Sequence, residues 1–176
     1  MNPNIPRLVY LLRHAKSDWS DPTLDDHDRP LNRRGRRDAQ RLADHFVHDA
    51  IAPELVLCSS AVRARQTLAP VAAAAGIGDD RVRVEPSLYG AAAGEILTRL
   101  RRIDDAVLSV LVVGHNPGLE DLAVELAGGD GALLGALEDK FPTGALAVVT
   151  FDGTSWPELS SATASVTSLT APRQLP

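Results

Sequence analysis

The sequence of 176 residues contains one cysteine, Cys58, and fewer basic than acidic side chains, with 18 Lys and Arg against 23 Asp and Glu. A single thiol excludes an internal disulfide and every metal site built on several cysteines, which favours the reducing cytoplasm. The formal net charge is -5, so no overall basic field attracts nucleic acid or an anionic membrane surface. Any site for an anion must therefore be local.

The sequence also lacks a long apolar run. The N-terminal apolar segment 8–12 stops at Arg13 and is too short for the core of a signal peptide. No stretch approaches the roughly 18 apolar residues of a membrane span. We therefore predict a cytoplasmic protein without membrane or nucleic-acid partners. Its length predicts a single domain, 1–176.

Short runs of Val, Leu and Ala alternate with segments of helical period. The runs predict buried strands at Leu8–Leu12, Leu55–Cys58, Val107–Val113 and Ala145–Phe151. Helices are predicted after Asn32 as N-cap, over Ala61–Ala75 with Pro70 kinking or dividing it, over Gly94–Ile103, and from Asn116-Pro117 to Gly128-Gly129. The tail 160–176 predicts an edge strand and a frayed end after Pro172. This pattern predicts the α/β class, a three-layer αβα sandwich around a mostly parallel central sheet.

Polar side chains follow three of the predicted strands. The segments are Arg13-His14-Ala15-Lys16-Ser17, Ser59-Ser60-Ala61-Val62-Arg63 and Gly114-His115-Asn116-Pro117. Ligands bind beyond the carboxyl ends of the strands in open α/β sheets, so two arginines and two histidines are expected at one edge. One arginine guanidinium can bind two phosphate oxygens at once, and a neutral imidazole can attack phosphorus. The combination predicts phosphoryl transfer with no metal and no cofactor, because arginine and histidine supply the positive charge.

The motifs at these positions resemble those of a known family. Segment 13–19, Arg-His-Ala-Lys-Ser-Asp-Trp, is similar to the Arg-His-Gly signature of the histidine phosphatase superfamily. Segments 28–32, 59–67 and 113–117 follow in the family's order and spacing over roughly residues 7–150. The compact chain looks most like the short SixA-type phosphohistidine phosphatases, a branch that lacks the long insertions of the phosphoglycerate mutases.

The resemblance implies a role for each matching residue. His14 would be the nucleophile, Arg13 and Arg63 would bind phosphate, and His115 would be the second histidine at the phosphate. Ala15 stands where the family usually has glycine. The general acid has no unambiguous counterpart here, and Glu85 and Asp18 are the two candidates. Ser17 is a further candidate for phosphate binding through its hydroxyl group.

Two other charged groups favour structural interpretations. His45 and His48 lie at i, i+3 on the first predicted helix, but no third metal ligand is in view, so a solvated face is favoured. The arginines at 33, 34, 36 and 37 could dock an acidic partner or phosphate. A solvated helix start offset by Asp38 and Asp44 is favoured for them.

These observations predict a metal-independent phosphatase that forms a phosphohistidine intermediate and acts on phosphohistidine in proteins. One alternative is a phosphatase or mutase of small phosphorylated metabolites. Another is a non-catalytic module that binds a phosphorylated partner. The presence of His14 favours an enzyme, because binding alone would need only the arginines.

Overall fold

The apolar runs form the strands of one sheet, and the amphipathic segments form helices on its faces. The computed structural model describes residues 5–128, 135 and 141–175. Within those residues the strands are β1 (Arg7–Arg13), β2 (Leu55–Ser59), β3 (Val82–Glu85), β4 (Ser109–Gly114), β5 (Leu146–Phe151) and β6 (Ala164–Thr170). The α-helices are α1 (Arg33–His48), α2 (Val62–Ala74), α3 (Ala93–Leu100) and α4 (Gly118–Leu126).

The strands lie in the order β3-β2-β4-β1-β5-β6. The four neighbours β3, β2, β4 and β1 are parallel, with Leu8 of β1 opposite Ser109 of β4 and Leu55 of β2 opposite Val110. Strand β5 runs antiparallel to both β1 and β6. The predicted mostly parallel α/β fold is confirmed. Its consequence for the site is that the carboxyl ends of β1, β2 and β4 meet at one edge.

Alternate side chains of the buried strands point into two separate cores. Val9 and Leu11 of β1 pack with residues of α3 and α4, such as Leu97. Tyr10 and Leu12 pack with residues of α1 and α2, such as Phe46. Strands apolar on both faces require a cover on each side, and the helices supply it. The result is the predicted three-layer arrangement.

The helix boundaries follow the predicted signals in part. The side chain of Asn32 caps α1 by accepting a hydrogen bond from the Gly35 backbone N–H at 2.8 Å. Helix α2 runs through Pro70 without being divided. Helix α4 begins at Gly118 rather than at Pro117, and the side chain of Asn116 donates to the Phe141 carbonyl and Glu120 instead of capping the helix.

Two elements at the sheet edges differ from the prediction. Strand β3 was not predicted, although the alternation of Arg83 and Glu85 with Val82 and Val84 has the period of a half-exposed strand. At the other edge, the described residues after Pro172 do not fray as expected. Residues 172–174 form a 3₁₀ turn, and Leu175 is buried in the core beneath α1 and α2.

Two glycines allow close approaches that shape the region around the site. A Cβ on Gly35 would lie 2.1 Å from the carbonyl oxygen of Lys16, so only glycine lets α1 begin so close to the segment after β1. A Cβ on Gly118 would lie 2.0 Å from the carbonyl oxygen of Ala91. Helix α4 therefore begins directly against the loop that follows Tyr89.

The described helices include none with the length and apolar character needed to cross a membrane. The cytoplasmic location inferred from the cysteine content stays a prediction.

Candidate active site

A cavity of about 290 Å³ opens at the edge where β1 and β4 end. The residues that line it carry two guanidinium groups, two imidazoles, a carboxylate, a phenol and an amide: Arg13, His14, Asp26, Arg63, Tyr89, Gly90, His115 and Asn116. The structure thus brings together the four residues that the sequence placed at the strand ends.

Backbone hydrogen bonds hold the segment after β1 against its neighbours. The His14 N–H donates to the Gly114 carbonyl at 3.0 Å, which ties the end of β1 to the end of β4. The Ala15 N–H donates to the hydroxyl of Thr67 at 2.9 Å, which ties the same segment to α2. Because neither partner is mobile solvent, the His14 backbone is fixed relative to both elements.

His14 is buried, with one ring nitrogen occupied by the protein. Its Nδ1 lies 2.7 Å from the carbonyl oxygen of Ala15, and only a protonated nitrogen can donate to a carbonyl. Nε2 of the neutral ring therefore carries the lone pair. Burial is the main cause that lowers the pKa of His14 to about 4; the hydrogen bond to the Ala15 carbonyl opposes the shift, and the charges of Arg63 and Arg13 add to it. At neutral pH, His14 is an uncharged imidazole with a nucleophilic nitrogen.

His115 is the second buried imidazole, with its ring centre 5.0 Å from that of His14. Burial lowers its pKa to about 3, and nearby His14 and Arg63 disfavour its charged form as well. Nε2 lies 2.7 Å from the hydroxyl oxygen of Ser59, at the end of β2. Nδ1 is buried and has no hydrogen-bond partner among the described residues.

Arg63, in the first turn of α2, joins His14 to a carboxylate. Its Nε donates to Nε2 of His14 at 3.3 Å. One terminal nitrogen donates to the Asp26 carboxylate at 2.9 Å and the other to the Asp26 backbone carbonyl. The guanidinium therefore holds the nucleophilic side of the cavity and the 3₁₀ turn Asp26–Asp28 in one arrangement.

Arg13 ends β1 on the other side of the cavity. One of its terminal nitrogens donates to the Phe141 carbonyl at 2.7 Å, while its Nε is buried without a partner in the described part of the chain. Arginine stays protonated even where burial lowers its pKa, as it does here. The two arginines together place two permanent positive charges at the cavity.

Asp26 and Tyr89 also line the cavity, and sequence reasoning missed both. The Tyr89 hydroxyl donates to the Asp26 carboxylate at 2.8 Å. Partial burial raises the pKa of Asp26, but hydrogen bonds from Tyr89 and Arg63 outweigh it and lower the pKa below its ordinary value. Asp26 is therefore ionised at neutral pH. Its only sequence signal is its place in an acidic segment just before the Arg-Pro-Leu-Asn motif at 29–32.

Glu85, expected as a catalytic acid, does not line this cavity. Its two carboxylate oxygens accept three hydrogen bonds of 2.7–3.0 Å from the guanidinium of Arg99, on α3. The ion pair joins the end of β3 to α3. Glu85 is thus a structural partner of Arg99, because its carboxylate is bound away from the side chains that line the cavity.

Asp18 and Ser17, the other two expected site residues, also lie outside the cavity lining. Asp18 is exposed, and its carboxylate accepts from the Ser20 N–H at 2.9 Å. Ser17 is buried in a bridge with Leu31, and its hydroxyl accepts from the indole N–H of Trp19 at 3.1 Å. Both side chains stabilise the local turn after β1.

A larger cavity of about 570 Å³ lies at the end of α1, and none of its lining residues belongs to the strand-end motifs. Its lining includes His45, His48 and Asp49, and both imidazoles contact the Asp49 carboxylate. No group of three or more His, Cys, Asp or Glu side chains in the described residues is arranged to hold a metal ion. This cavity lacks arginine pairs facing an imidazole, so the chemistry belongs to the smaller one.

The basic start of α1 is partly neutralised. Arg34 lies 3.4 Å from the Asp38 carboxylate, and Arg36 donates to the Leu31 carbonyl. These contacts are those of a helix start, and docking of a partner there stays a prediction.

The arrangement is suited to phosphoryl transfer. A neutral imidazole faces two permanent cations, so a phosphoryl dianion would be held beside the nucleophile. Donors fixed in place stabilise charge on a developing trigonal phosphoryl group without reorganising.

Comparison with known proteins shows which family this chain is similar to. A sequence model of the histidine phosphatase superfamily (branch 1) matches residues 9–102. The uncharacterized protein Rv1276c of Mycobacterium tuberculosis is 40% identical over 165 residues, which cover 92% of this chain and 100% of that protein.

Solved structures are similar over almost the whole chain. A proposed phosphohistidine phosphatase, SixA of Nakamurella multipartitia, superposes with a TM-score of 0.82 at 32% identity, covering 97% of this chain and 99% of that one. The protein histidine phosphatase SixA complexed with tungstate gives a TM-score of 0.77 at 26% identity, covering 94% and 97%.

Proposed function

Because the chain belongs to the histidine phosphatase superfamily, we propose that it is a metal-independent phosphatase that removes phosphate from phosphohistidine in proteins. The observation that carries the proposal is the state of His14. Its Nδ1 donates to the Ala15 carbonyl, and its Nε2 lone pair faces the guanidinium of Arg63. A nucleophile of this kind needs no general base to deprotonate it, since the ring is already neutral and oriented.

In the first step, Nε2 of His14 attacks phosphorus. A bond forms between Nε2 and phosphorus, and the phosphorus–nitrogen bond of the substrate breaks with its electron pair going to the leaving imidazole. That imidazole takes up a proton from solvent. Arg13 and Arg63 hold the phosphoryl oxygens, and the Nδ1 hydrogen bond to Ala15 stabilises the positive charge that His14 acquires.

In the second step, water attacks the phosphorylated His14. Asp26 lines the same cavity and is ionised, so its carboxylate can accept the proton that the water loses. The bond between phosphorus and His14 breaks, and inorganic phosphate leaves. His14 returns to its neutral form, and Asp26 releases its proton to solvent, which restores the carboxylate. Every proton in this sequence is carried by a side chain of the cavity or by water.

The state of Asp26 supports a phosphoramidate substrate. An alkoxide leaving from a sugar phosphate needs a proton donor, a contribution of about 10²–10⁴-fold. The carboxyl group in the cavity is ionised, and neither Glu85 nor Asp18 lies in the lining. Imidazole leaves more easily, because its unperturbed pKa is about 6.5 and it is protonated near neutral pH. The similarity to the tungstate-bound protein histidine phosphatase agrees with this choice.

The test compares substrates under metal-free conditions. Purified protein in millimolar EDTA is given p-nitrophenyl phosphate, a protein phosphorylated on histidine, 3-phosphoglycerate and a sugar phosphate. We expect hydrolysis of the first two, competitive inhibition by vanadate, and higher kcat/KM for phosphohistidine than for either alkyl phosphate. Faster hydrolysis of an alkyl phosphate would replace the proposal by a metabolite phosphatase. Activity lost with EDTA and restored by a divalent ion would overturn the metal-free mechanism.

A variant of His14 and a control variant of His48 test whether His14 is the nucleophile. His14→Ala is expected to abolish turnover and covalent labelling with phosphate, while His48→Ala, an exposed residue at the end of α1, keeps wild-type activity. If His14→Ala retained a tenth of the rate, the covalent mechanism would be wrong. A wild-type protein that binds vanadate but hydrolyses nothing would instead be a binding module.

A further inference from the structure

We propose that Ser59 is a positioning residue that fixes the tautomer of His115, with the proton on Nδ1. Ser59 ends β2, is fully buried and lies outside the lining of the cavity. It acts through His115 rather than on the substrate. The kinetic consequence of this proposal rests on the proposed phosphatase function, but the tautomer itself does not.

The hydrogen bonds of Ser59 set the direction of its hydroxyl. The backbone N–H of Ala61 donates to the Ser59 oxygen at 3.3 Å, so that oxygen is already an acceptor. The same oxygen lies 2.7 Å from Nε2 of His115. A hydroxyl has one proton to donate, and Nε2 is the side-chain acceptor beside it. The relay therefore runs from Ala61 to Ser59 to His115, and Nε2 carries no proton.

The opposite direction leaves two groups unpaired. If Nε2 donated to Ser59, the hydroxyl proton would have no acceptor among the described contacts of Ser59. Nδ1, which is also without a partner, would then hold a lone pair beside a site for an anion. Each unsatisfied buried group destabilises the fold, because it loses its hydrogen bonds to water and gains none in the protein. The first direction leaves only the Nδ1 hydrogen without a partner.

That remaining N–H gives His115 its use in the reaction. His115 lines the cavity and is neutral, so it offers the substrate a donor only through the nitrogen that carries its single proton. Ser59 occupies the other nitrogen and so commits the proton to Nδ1. A phosphoryl oxygen is the acceptor that the cavity is otherwise built to hold. A neutral histidine thereby becomes a fixed donor at neutral pH.

The direct test is the tautomer in solution. The chain has five histidines, so long-range proton–nitrogen correlation spectra of the imidazoles are tractable, and His115→Asn identifies the His115 signals by their loss. We expect the shifts of an Nδ1-protonated ring in the wild-type protein. Nε2-protonated shifts in the wild type would overturn the proposal without any Ser59 variant.

The kinetic test uses Ser59→Ala, which removes one oxygen atom and adds no bulk. We expect a mixed or Nε2-protonated His115 and a kcat for p-nitrophenyl phosphate lowered about tenfold or more, with KM changed much less. Ser59→Cys, which keeps a weak donor, should lie between Ala and wild type. Ser109→Ala is the matched control, because its hydroxyl accepts from the Glu54 N–H at the opposite end of the sheet.

The outcomes separate the two proposals. An active wild type whose kcat and His115 shifts are both unchanged in Ser59→Ala would overturn the role of Ser59 and leave the phosphatase function standing. A wild type that hydrolyses no phosphorylated substrate would overturn the function, while the wild-type spectrum still decides the tautomer.

Discussion

Nε of Arg63 donates a hydrogen bond to Nε2 of His14, and the two atoms are 3.3 Å apart. The same guanidinium holds the Asp26 carboxylate through a terminal nitrogen. The arginine therefore covers the lone pair that attacks phosphorus in the proposed mechanism, and an arriving phosphoryl group would have to take over these contacts. Substrate binding and exposure of the nucleophile are thus one event at this residue.

The first prediction concerns the shape of the Arg63 side chain. Arg63→Lys keeps the charge but cannot contact His14 and Asp26 through one rigid plane. We expect kcat/KM for p-nitrophenyl phosphate to fall about 10²–10³-fold, with both binding and chemistry affected. Arg65→Lys, two residues along and exposed, is the control. Equal activity of Arg63→Lys and wild type would show that a point charge is enough.

The second prediction separates two effects of Asp26. Asp26→Asn removes the charge that competes with phosphate for Arg63, so vanadate should bind several-fold more tightly. The same change removes the proton acceptor for water, so hydrolysis of the phosphorylated enzyme should slow by about 10² or more. Rapid-quench kinetics should show a burst of p-nitrophenol followed by a slow steady state. Asp21→Asn, whose carboxylate binds Thr23 in the exposed loop, should behave as wild type.

The third prediction concerns the two acids that the sequence suggested. Glu85→Gln and Asp18→Asn should change kcat/KM less than twofold with every substrate, because neither carboxylate lines the cavity. Glu85→Gln should lower the free energy of unfolding by about 1 kcal/mol or less, since its partly exposed ion pair with Arg99 is lost. A loss of activity confined to alkyl phosphates in either variant would restore that residue as the acid.

The fourth prediction is a dependence of stability on pH. The pKa of His14 is lowered to about 4 in the folded protein, against about 6.5 for an unperturbed histidine. Between these values the unfolded chain binds a proton that the folded protein does not, so the free energy of unfolding falls as the pH falls from about 6.5 to 4. The loss attributable to His14 is on the order of 3 kcal/mol.

Urea unfolding at several pH values measures this effect. His14→Asn should make the dependence between pH 6.5 and 4 less steep and leave the part due to His115, whose pKa is also lowered. His48→Asn, whose side chain is largely exposed, should leave the dependence as in the wild type. An identical slope in wild type and His14→Asn would show that His14 titrates normally.

The sequence predicted the core of the site because strand ends are local features. Arg13, His14 and His115 come within two residues of the end of an apolar run, and Arg63 follows another run after a short turn, at the start of α2. Parallel neighbours then bring those ends together whatever the details of the loops. The sequence alone therefore predicts that these four side chains lie at one site.

Asp26 could not be found in the same way, because the path of its loop depends on contacts across the fold. The bridge of Ser17 with Leu31 and the hydrogen bond of Arg63 to Asp26 set that path. Neither contact produces a periodic pattern of residues in the sequence. The prediction of Glu85 as the catalytic acid was wrong for the complementary reason. It does follow a strand, but Arg99, 14 residues later, takes its carboxylate, and side-chain pairing at that separation is not visible in a sequence.

The position of β1 has a consequence for how the chain acquires its structure during synthesis. This strand is made before the other five described strands, yet its register pairs Leu8 with Ser109 on one side and with Thr150 on the other. Its apolar residues cannot pair until β4 and β5, a hundred or more residues downstream, have been synthesised. Such non-local pairing slows folding. A nascent chain released before β4 exists would expose the Leu8–Leu12 segment and would carry His14 with no second histidine beside it. Premature termination should therefore yield aggregation-prone and inactive fragments rather than a partly working enzyme.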